Sequence, residues 1–170
     1  PQISVGAWFY KNSNSSPSGY LISKSIDGGE RTWSIRQGGS LTAFSVEGEI
    51  NGTYFEYYSD ENYGAMPTDS WNYILFTYDG EYVKLYLNED LIINEYNPGE
   101  LSSSENDISI GYFPGNSNNE YWNGLIDNVA IYNMSIEESE INNLMNCGSA
   151  TNNSSLLGYW TFEEGIGGIT

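Results

Sequence analysis

A chain of 170 residues and 19.0 kDa fits one domain and is long enough to bury a hydrophobic core. It carries 23 acidic and 5 basic residues, and the formal net charge of -18 argues against binding to nucleic acid or anionic lipid, because both need a Lys/Arg surface. Histidine is absent, which excludes Ser-His-Asp and Cys-His catalysis and any histidine-liganded metal. A single cysteine, Cys147, leaves no partner for an internal disulfide, and no apolar run reaches the roughly 18 residues that span a bilayer.

The polar composition indicates where such a chain works. Only 16% of the residues are charged, whereas aromatic residues make up 15% and include 15 tyrosines and 5 tryptophans. This composition is typical of extracellular β proteins with hydrogen-bonding surfaces, and we expect a secreted or cell-surface location; an acidic cytosolic domain is the alternative. The chain begins at Pro1 without Met or a signal peptide, so we expect a segment of a longer protein.

Short runs of β-branched and aromatic residues recur about 8–12 residues apart, with turn residues between them. The pattern predicts an all-β, two-sheet antiparallel β-sandwich. Asp79-Gly80 marks a tight hairpin, after which Val83, Leu85 and Leu87 alternate with polar or amphipathic residues. The predicted strands are Ile3–Lys11, Tyr20–Ser25, Arg31–Gln37, Leu41–Val46, Thr53–Ser59, Trp71–Tyr78, Tyr82–Asn88, Leu91–Tyr96, Ile108–Tyr112, Trp122–Asn133 and Leu157–Phe162.

One short helix is predicted near residues 135–146. Ser135 and Glu138 have the spacing of a capping box, with Ser135 as the N-cap. We expect this helix to plug the edge of the sandwich. Its apolar stripe, at approximately helical spacing, comprises Ile136, Ile141, Leu144 and Met145.

Several segments stand in an informative order. Residues 4–9 (SVGAWF) form an early strand, and residues 71–80 (WNYILFTYDG) and 83–88 (VKLYLN) form a hairpin. Residues 122–133 (WNGLIDNVAIYN) then lead into the helix. This order resembles the laminin-G-like, concanavalin A-like jelly-roll modules of multidomain extracellular proteins, with Tyr73 where the family usually has His. The resemblance implies a jelly roll.

The C-terminal segment leaves two alternatives open. Residues 158–167 (GYWTFEEGIG) look like the strand that opens a module of this family. We therefore predict a domain at 1–146, a linker at 147–155, and at 156–170 either the first strand of the next repeat or a closing strand, folded back or swapped between chains. An open sheet edge would favour the second arrangement.

Carboxylates do not form a catalytic pattern in this sequence. Glucanases of the related superfamily carry an E-x-D-x-x-E strand, whereas Glu47-Gly48-Glu49 is predicted to lie at a turn and the other acids resemble a solvated surface. We therefore predict that the domain is not an enzyme.

The resemblance implies one Ca²⁺ at the rim of the sandwich. The matching ligands are Asp127 with Glu163 and Glu164 from the trailing segment, together with backbone carbonyls. Oxygen ligands of this kind suit a hard cation. The alternative is that Asp127 only hydrogen-bonds a neighbouring turn.

Glycan binding is the predicted function, because aromatic rings offer a plate for the apolar face of a sugar and amides or carboxylates bind its hydroxyls. The partners expected are a glycan or matrix polymer and neighbouring domains, with no nucleic acid and no membrane insertion. The alternative is a structural spacer or self-assembly module that docks through strand 157–164. Trp8, Trp33, Trp71 and Trp160 are expected in the core. The candidate ligand-binding residues are Tyr112, Asn116, Asn118, Asn119, Tyr121, Trp122, Tyr58 and Asp60.

Overall fold

The computed structural model describes residues 2–13, 19–38, 43–59, 66–115, 120–147 and 154–163. Within these residues lie eleven strands and one helix. In chain order they are β1 Ile3–Lys11, β2 Gly19–Ser25, β3 Arg31–Gln37, β4 Phe44–Ile50, β5 Thr53–Tyr58, β6 Trp71–Tyr78, β7 Tyr82–Leu87, β8 Asp90–Tyr96, β9 Ser109–Ile110, β10 Gly124–Tyr132, α1 Glu138–Cys147 and β11 Leu156–Trp160.

The strands form two antiparallel sheets that pack face to face, which confirms the predicted all-β jelly-roll sandwich. One sheet has six strands in the order β11-β10-β1-β6-β7-β8, and the other has five in the order β5-β4-β3-β2-β9. The predicted hairpin joins β6 to β7. Its turn is held by Asp79 Oδ1, which accepts the amides of Glu81 at 2.8 Å and Tyr82 at 2.7 Å, and Gly80 adopts φ 102° there.

The core lies between the sheets, where alternate residues of each strand meet. Trp33 of β3 is 1% exposed and its ring lies 6.3 Å from that of Phe76 on the facing sheet. Phe9 and Phe44 make a similar contact at 5.3 Å between ring centroids. Burying each such side chain contributes about 1.5–3 kcal/mol. The alternation that builds this core sends the intervening residues to the outer faces of the two sheets.

The expected core position of the tryptophans is right for Trp33 and wrong for two others. Trp71 is 45% exposed and Trp160 is 38% exposed. Trp71 begins β6 on the outer face of its sheet, and Trp160 lies in the edge strand β11. Trp8 is half-buried, in a second apolar cluster outside the six-stranded sheet.

That second cluster is covered by the helix, which packs on the outer face of the six-stranded sheet rather than plugging its edge. Ile136 and Ile141 are buried there against Tyr73 and Leu75. The helix begins at Glu138, three residues after the predicted N-cap Ser135. The predicted short helix is confirmed, with a start three residues later than expected. Before it, the backbone amide of Ile136 donates to the Ser4 hydroxyl of β1 at 2.8 Å, which ties this segment to the sheet.

Two features of the strands determine which side chains lie on the outer face of the five-stranded sheet. The Glu47-Gly48-Glu49 segment, predicted as a turn, lies inside β4. In β2 a bulge between Tyr20 and Ile22 breaks the alternation, so that Leu21 and Ile22 are both in the core while Tyr20 pairs with Arg36 on the outer side.

The trailing strand β11 pairs antiparallel with β10, with Val129 opposite Trp160, and forms an edge of the six-stranded sheet. The division into residues 1–146, 147–155 and 156–170 stays a prediction. No helix in the described part of the chain is long and apolar enough to cross a membrane.

Candidate functional site

The outer face of the five-stranded sheet carries one continuous row of side chains across its strands. The register places Tyr121 beside Tyr20, Tyr20 opposite Arg36, Arg36 opposite Ser45 and Ser45 opposite Tyr58. Tyr121 and Tyr58, at the two ends, are 57% and 51% exposed. Adjacent strands lie about 4.8 Å apart, so the row spans about 19 Å. Tyr58 and Tyr121, two predicted ligand residues from distant segments of the sequence, are thus placed at the two ends of one row.

A buried carboxylate lies beside the centre of this row. Glu47 is 2% exposed; its Oε1 accepts the hydroxyl of Tyr20 at 2.9 Å and its Oε2 accepts the hydroxyl of Tyr54 at 3.1 Å. Arg36 Nη1 lies 3.5 Å from Glu47 Oε2 and 4.0 Å from Glu56 Oε1. These partners offset the cost of removing a carboxylate from water, so Glu47 organises the tyrosines and the arginine around it.

Aromatic rings cover this cluster on one side. Phe113 stacks on Tyr20 with 4.3 Å between ring centroids, and the guanidinium of Arg36 lies 5.1 Å from the same tyrosine ring. Arg31 lies 4.9 Å from the ring of Tyr54. Tyr20 and Phe113 are themselves buried, so the rings that this face exposes near Arg36 are those of Tyr54 and Tyr58, at 45% and 51%. Tyr54 is held in place by Arg31 and Glu47.

Burial and neighbouring carboxylates raise the pKa values of three tyrosines on this face. The pKa of Tyr20 is raised by burial and by the charge of Glu47, and the pKa of Tyr54 is raised by burial and by Glu47 and Glu56. Burial and a hydrogen bond to Glu56 raise the pKa of Tyr58. All three hydroxyls therefore remain protonated donors at neutral pH.

A titration with alkali tests this arrangement. The folded-state pKa values of Tyr20 and of Tyr73, which burial raises, lie above the unfolded value near 10. Their contribution to stability is therefore fully present below about pH 10 and is lost as the pH rises through the folded pKa. We expect tyrosinate absorbance of the 15 tyrosines to rise in two phases, the second coinciding with loss of the near-UV circular dichroism. A single phase near pH 10 with the fold intact would contradict the buried positions.

At the other end of the row, Tyr112 and Tyr121 form an exposed ring pair. Their centroids lie 6.2 Å apart at 29°, and the rings are 41% and 57% exposed. Trp122, also predicted to bind ligand, is only 7% exposed; it packs on Phe9 and its Nε1 donates to the Tyr10 carbonyl at 3.3 Å. Its ring therefore belongs to the core and is not offered to a ligand.

Several predicted ligand residues fall outside the described part of the chain. These residues are Asn116, Asn118, Asn119, Asp60 and, of the proposed metal ligands, Glu164.

The predicted calcium ligands lie at the β10–β11 edge. Asp127 Oδ1 accepts the amide of Asn128 at 2.8 Å, and Asn128 Oδ1 accepts the hydroxyl of Tyr159 at 2.6 Å. Glu163 follows β11, which the register places beside this end of β10, and its side chain is exposed. Among the residues that the structure describes, no three Asp, Glu or Cys side chains converge in a way that could hold a metal ion. Two carboxylates fit only part of the six to eight oxygen ligands that Ca²⁺ takes.

The central residues of the row could not be selected from the sequence. Glu47 stood in a segment that reads as a turn, and Arg36 and Tyr20 stood in ordinary strands. The one available signal was alternation, which places Ser34 and Arg36 on the side of β3 opposite Trp33 and Ile35.

These features define a class: an antiparallel jelly-roll module with a charge-paired, tyrosine-bearing outer face. The chain belongs to the concanavalin A-like lectin/glucanase superfamily, because a laminin-G family model with that description matches residues 2–142. None of the curated proteins matches the chain by sequence.

Solved structures share the fold at low sequence identity. A candidate carbohydrate-binding protein from Bacteroides ovatus superposes with a TM-score of 0.77 at 15% identity, covering 96% of this chain and 46% of that one. Domain 4 of an extracellular arabinanase from Geobacillus stearothermophilus, in complex with arabinotriose, gives 0.61 at 19% identity, covering 84% and 66%.

Botulinum neurotoxin type C, whose passage into cells depends on interaction with two ganglioside molecules, gives a TM-score of 0.57 at 18% identity, covering 86% of this chain and 35% of that one. This chain thus spans less than two thirds of each of these proteins. At such identities the likeness establishes the fold.

Proposed function

We propose that the domain is a non-catalytic carbohydrate-binding module and that the outer face of the five-stranded sheet is its glycan surface. The observation that carries the proposal is the row from Tyr58 to Tyr121, which ends in exposed tyrosines and has Arg36 between them. Flat rings suit the apolar face of a sugar, and the arginine and Glu56, each about one-fifth exposed, offer hydrogen bonds to hydroxyls. A span of about 19 Å suits an oligosaccharide rather than a single sugar.

Charge selects the class of glycan. On this face Arg31 and Arg36 are balanced by Glu47, Glu49 and Glu56, so no positive charge is left for a sulfate or uronate. The chain as a whole carries -18, which repels polyanions. The module is therefore expected to prefer neutral glycans. Related structures that bind carbohydrate, such as the arabinanase domain, support the class of ligand.

The same geometry supports a non-catalytic role. A retaining glycosidase needs two carboxyl groups on either side of the scissile bond, about 5–5.5 Å apart. Here Glu47 and Glu56 are paired in the register, but the Tyr54 hydroxyl lies between them, 3.1 Å from Glu47 Oε2 and 3.3 Å from Glu56 Oε2. The space that a substrate would need is filled by a protein hydroxyl.

Affinity electrophoresis against soluble neutral polysaccharides tests the proposal. We expect at least one polymer to retard the domain, and Tyr112→Ala combined with Tyr121→Ala to weaken binding by about 30-fold, as for removal of an aromatic hot spot. The matched control is Tyr96→Ala, because Tyr96 is 62% exposed but lies on the six-stranded sheet. Equal loss in the control, or no retardation by any neutral polymer, would refute the proposed surface.

Calcium dependence is a separate proposal. Asp127 and Glu163 would hold Ca²⁺ at the β10–β11 edge, with backbone carbonyls completing the shell. Asp127→Ala is then expected to lower the thermal midpoint in Ca²⁺ and to have much less effect in chelator. Equal losses in both buffers would assign Asp127 the structural role already visible in its bond to the Asn128 amide.

One observation favours the alternative function of a self-assembly module. The edge strand and the residues after it expose Leu157 at 65%, Trp160 at 38% and Phe162 at 48%. If the module self-assembles through this edge, light scattering should detect polymers of the full chain. Truncation after residue 155 should abolish them. We propose an extracellular location for either role, in keeping with the adhesion functions expected of such modules.

A further inference from the structure

A second aromatic surface lies on the opposite side of the molecule, at the end of the six-stranded sheet that the helix leaves uncovered. The register places Tyr10 of β1 opposite Trp71 of β6 and opposite Leu125 of β10, so the three form a row on the outer face. Trp71 is 45% exposed and Leu125 is 57% exposed. We name these three residues the Trp71 platform.

The platform is held in place by contacts within the sheet. The rings of Tyr10 and Trp71 meet edge to face, with centroids 6.0 Å apart and planes at 64°. In the next position along the same sheet, Trp8 and Tyr73 make a similar contact at 5.5 Å, where the apolar cluster under the helix begins. Trp71 is therefore supported by its neighbours while one side of its ring faces solvent.

Polar groups line the margin of the platform. The side-chain amide Nδ2 of Asn12 donates to Asn123 Oδ1 at 2.8 Å, so these two side chains lie together just beyond Tyr10 and Leu125. Asp69, two residues before Trp71, accepts the amide of Ser13 at 3.2 Å and is exposed. An indole ring beside amides and one carboxylate provides both an apolar plate and hydrogen-bonding groups for hydroxyls.

The dimensions and charge of the platform favour a saccharide over a protein. The platform has three side chains across two strand spacings, about 10 Å, whereas a stable protein interface takes about 20–30 residues from each partner. Asp69 at its margin is acidic, as is Asp127 two residues from Leu125, and the whole chain carries a net negative charge, which disfavours anionic ligands. The occupant that fits is a neutral saccharide with an apolar ring face.

We propose that the Trp71 platform is a second saccharide-binding surface, on the sheet opposite the first. With two such surfaces on opposite sides, one domain holds two segments of polysaccharide, and multivalent attachment then raises the apparent affinity for polymers over that for short oligosaccharides. This inference goes beyond the proposed function and stands on different residues, so either one can fail alone.

Fluorine NMR of protein labelled with fluorotryptophan tests it directly, because the chain has 5 tryptophans and Trp71→Phe assigns the resonance of Trp71. The probes are neutral gluco-, xylo-, manno-, galacto- and arabino-oligosaccharides. We expect one of them to shift the Trp71 resonance saturably while those of buried Trp33 and exposed Trp160 stay unchanged. The shift should persist in the variant with both Tyr112→Ala and Tyr121→Ala.

A polymer experiment supplies the second readout. Trp71→Ala is expected to lower the apparent affinity for the matching polysaccharide by about tenfold or more while leaving the fold intact by circular dichroism. The inference is overturned if no probe moves the Trp71 resonance, or if the shift vanishes in the Tyr112/Tyr121 variant, which would indicate one shared site. A shift that appears on raising the protein concentration without sugar would assign the platform to self-association and also overturn it.

Discussion

Replacing Glu47 by alanine is expected to lower the free energy of unfolding by about 3–5 kcal/mol, as measured by chemical denaturation. The carboxylate is 2% exposed and is the shared partner of Tyr20, Tyr54 and Arg36. Its removal leaves a largely buried guanidinium with Glu56 as its remaining carboxylate, 4.0 Å away. It also leaves the Tyr20 hydroxyl without its acceptor, whereas the Tyr54 hydroxyl keeps Glu56 Oε2 at 3.3 Å.

Glu49→Ala is the matched control for this prediction. Glu49 lies on the same strand and the same face, two residues further along, but it is only half-buried. We expect its loss to change the unfolding free energy by less than about 0.5 kcal/mol. If both substitutions cost the same, the network around Glu47 does not organise the face, and the proposed glycan surface loses its support.

Trp33→Ala is expected to cost about 3–5 kcal/mol of unfolding free energy, because it empties a large volume at the centre of the core. The ring is 1% exposed and faces Phe76 across the interface between the sheets. Trp160→Ala, in the edge strand, is the control and should cost much less, since that ring is 38% exposed. If Trp33→Ala lowers the free energy of unfolding no more than Trp160→Ala does, the packing of the two sheets is contradicted.

The strands were predictable because their signals are local. Alternation in β7 and the Asp79-Gly80 turn need only a short window of sequence. Glu47-Gly48-Glu49 was misread because glycine usually marks a turn. In the structure, Gly48 lies within β4, where a Cβ would meet the carbonyl of Thr32 and the ring of Phe55. Glycine is present there for close approach, not for a turn.

The sites were less predictable, because they depend on register. The exposed pair Tyr112 and Tyr121 could be selected from the richness of its loop, but their place at the end of a row with Tyr58 depends on how five segments pair. Trp71 was expected in the core because indole rings usually are. Its exposure follows from where the helix stops covering the sheet, which no local pattern in β6 contains.

Mapping of backbone amide chemical shifts with an oligosaccharide of the retarding polymer tests the central proposal most directly. We expect perturbed amides to cluster along β2 to β5 around Tyr20, Arg36 and Tyr58 and at Tyr112 and Tyr121, with any second cluster at Trp71. Saturating perturbations that leave the five-stranded sheet and the Tyr112/Tyr121 pair untouched would contradict the proposal that this face binds the glycan.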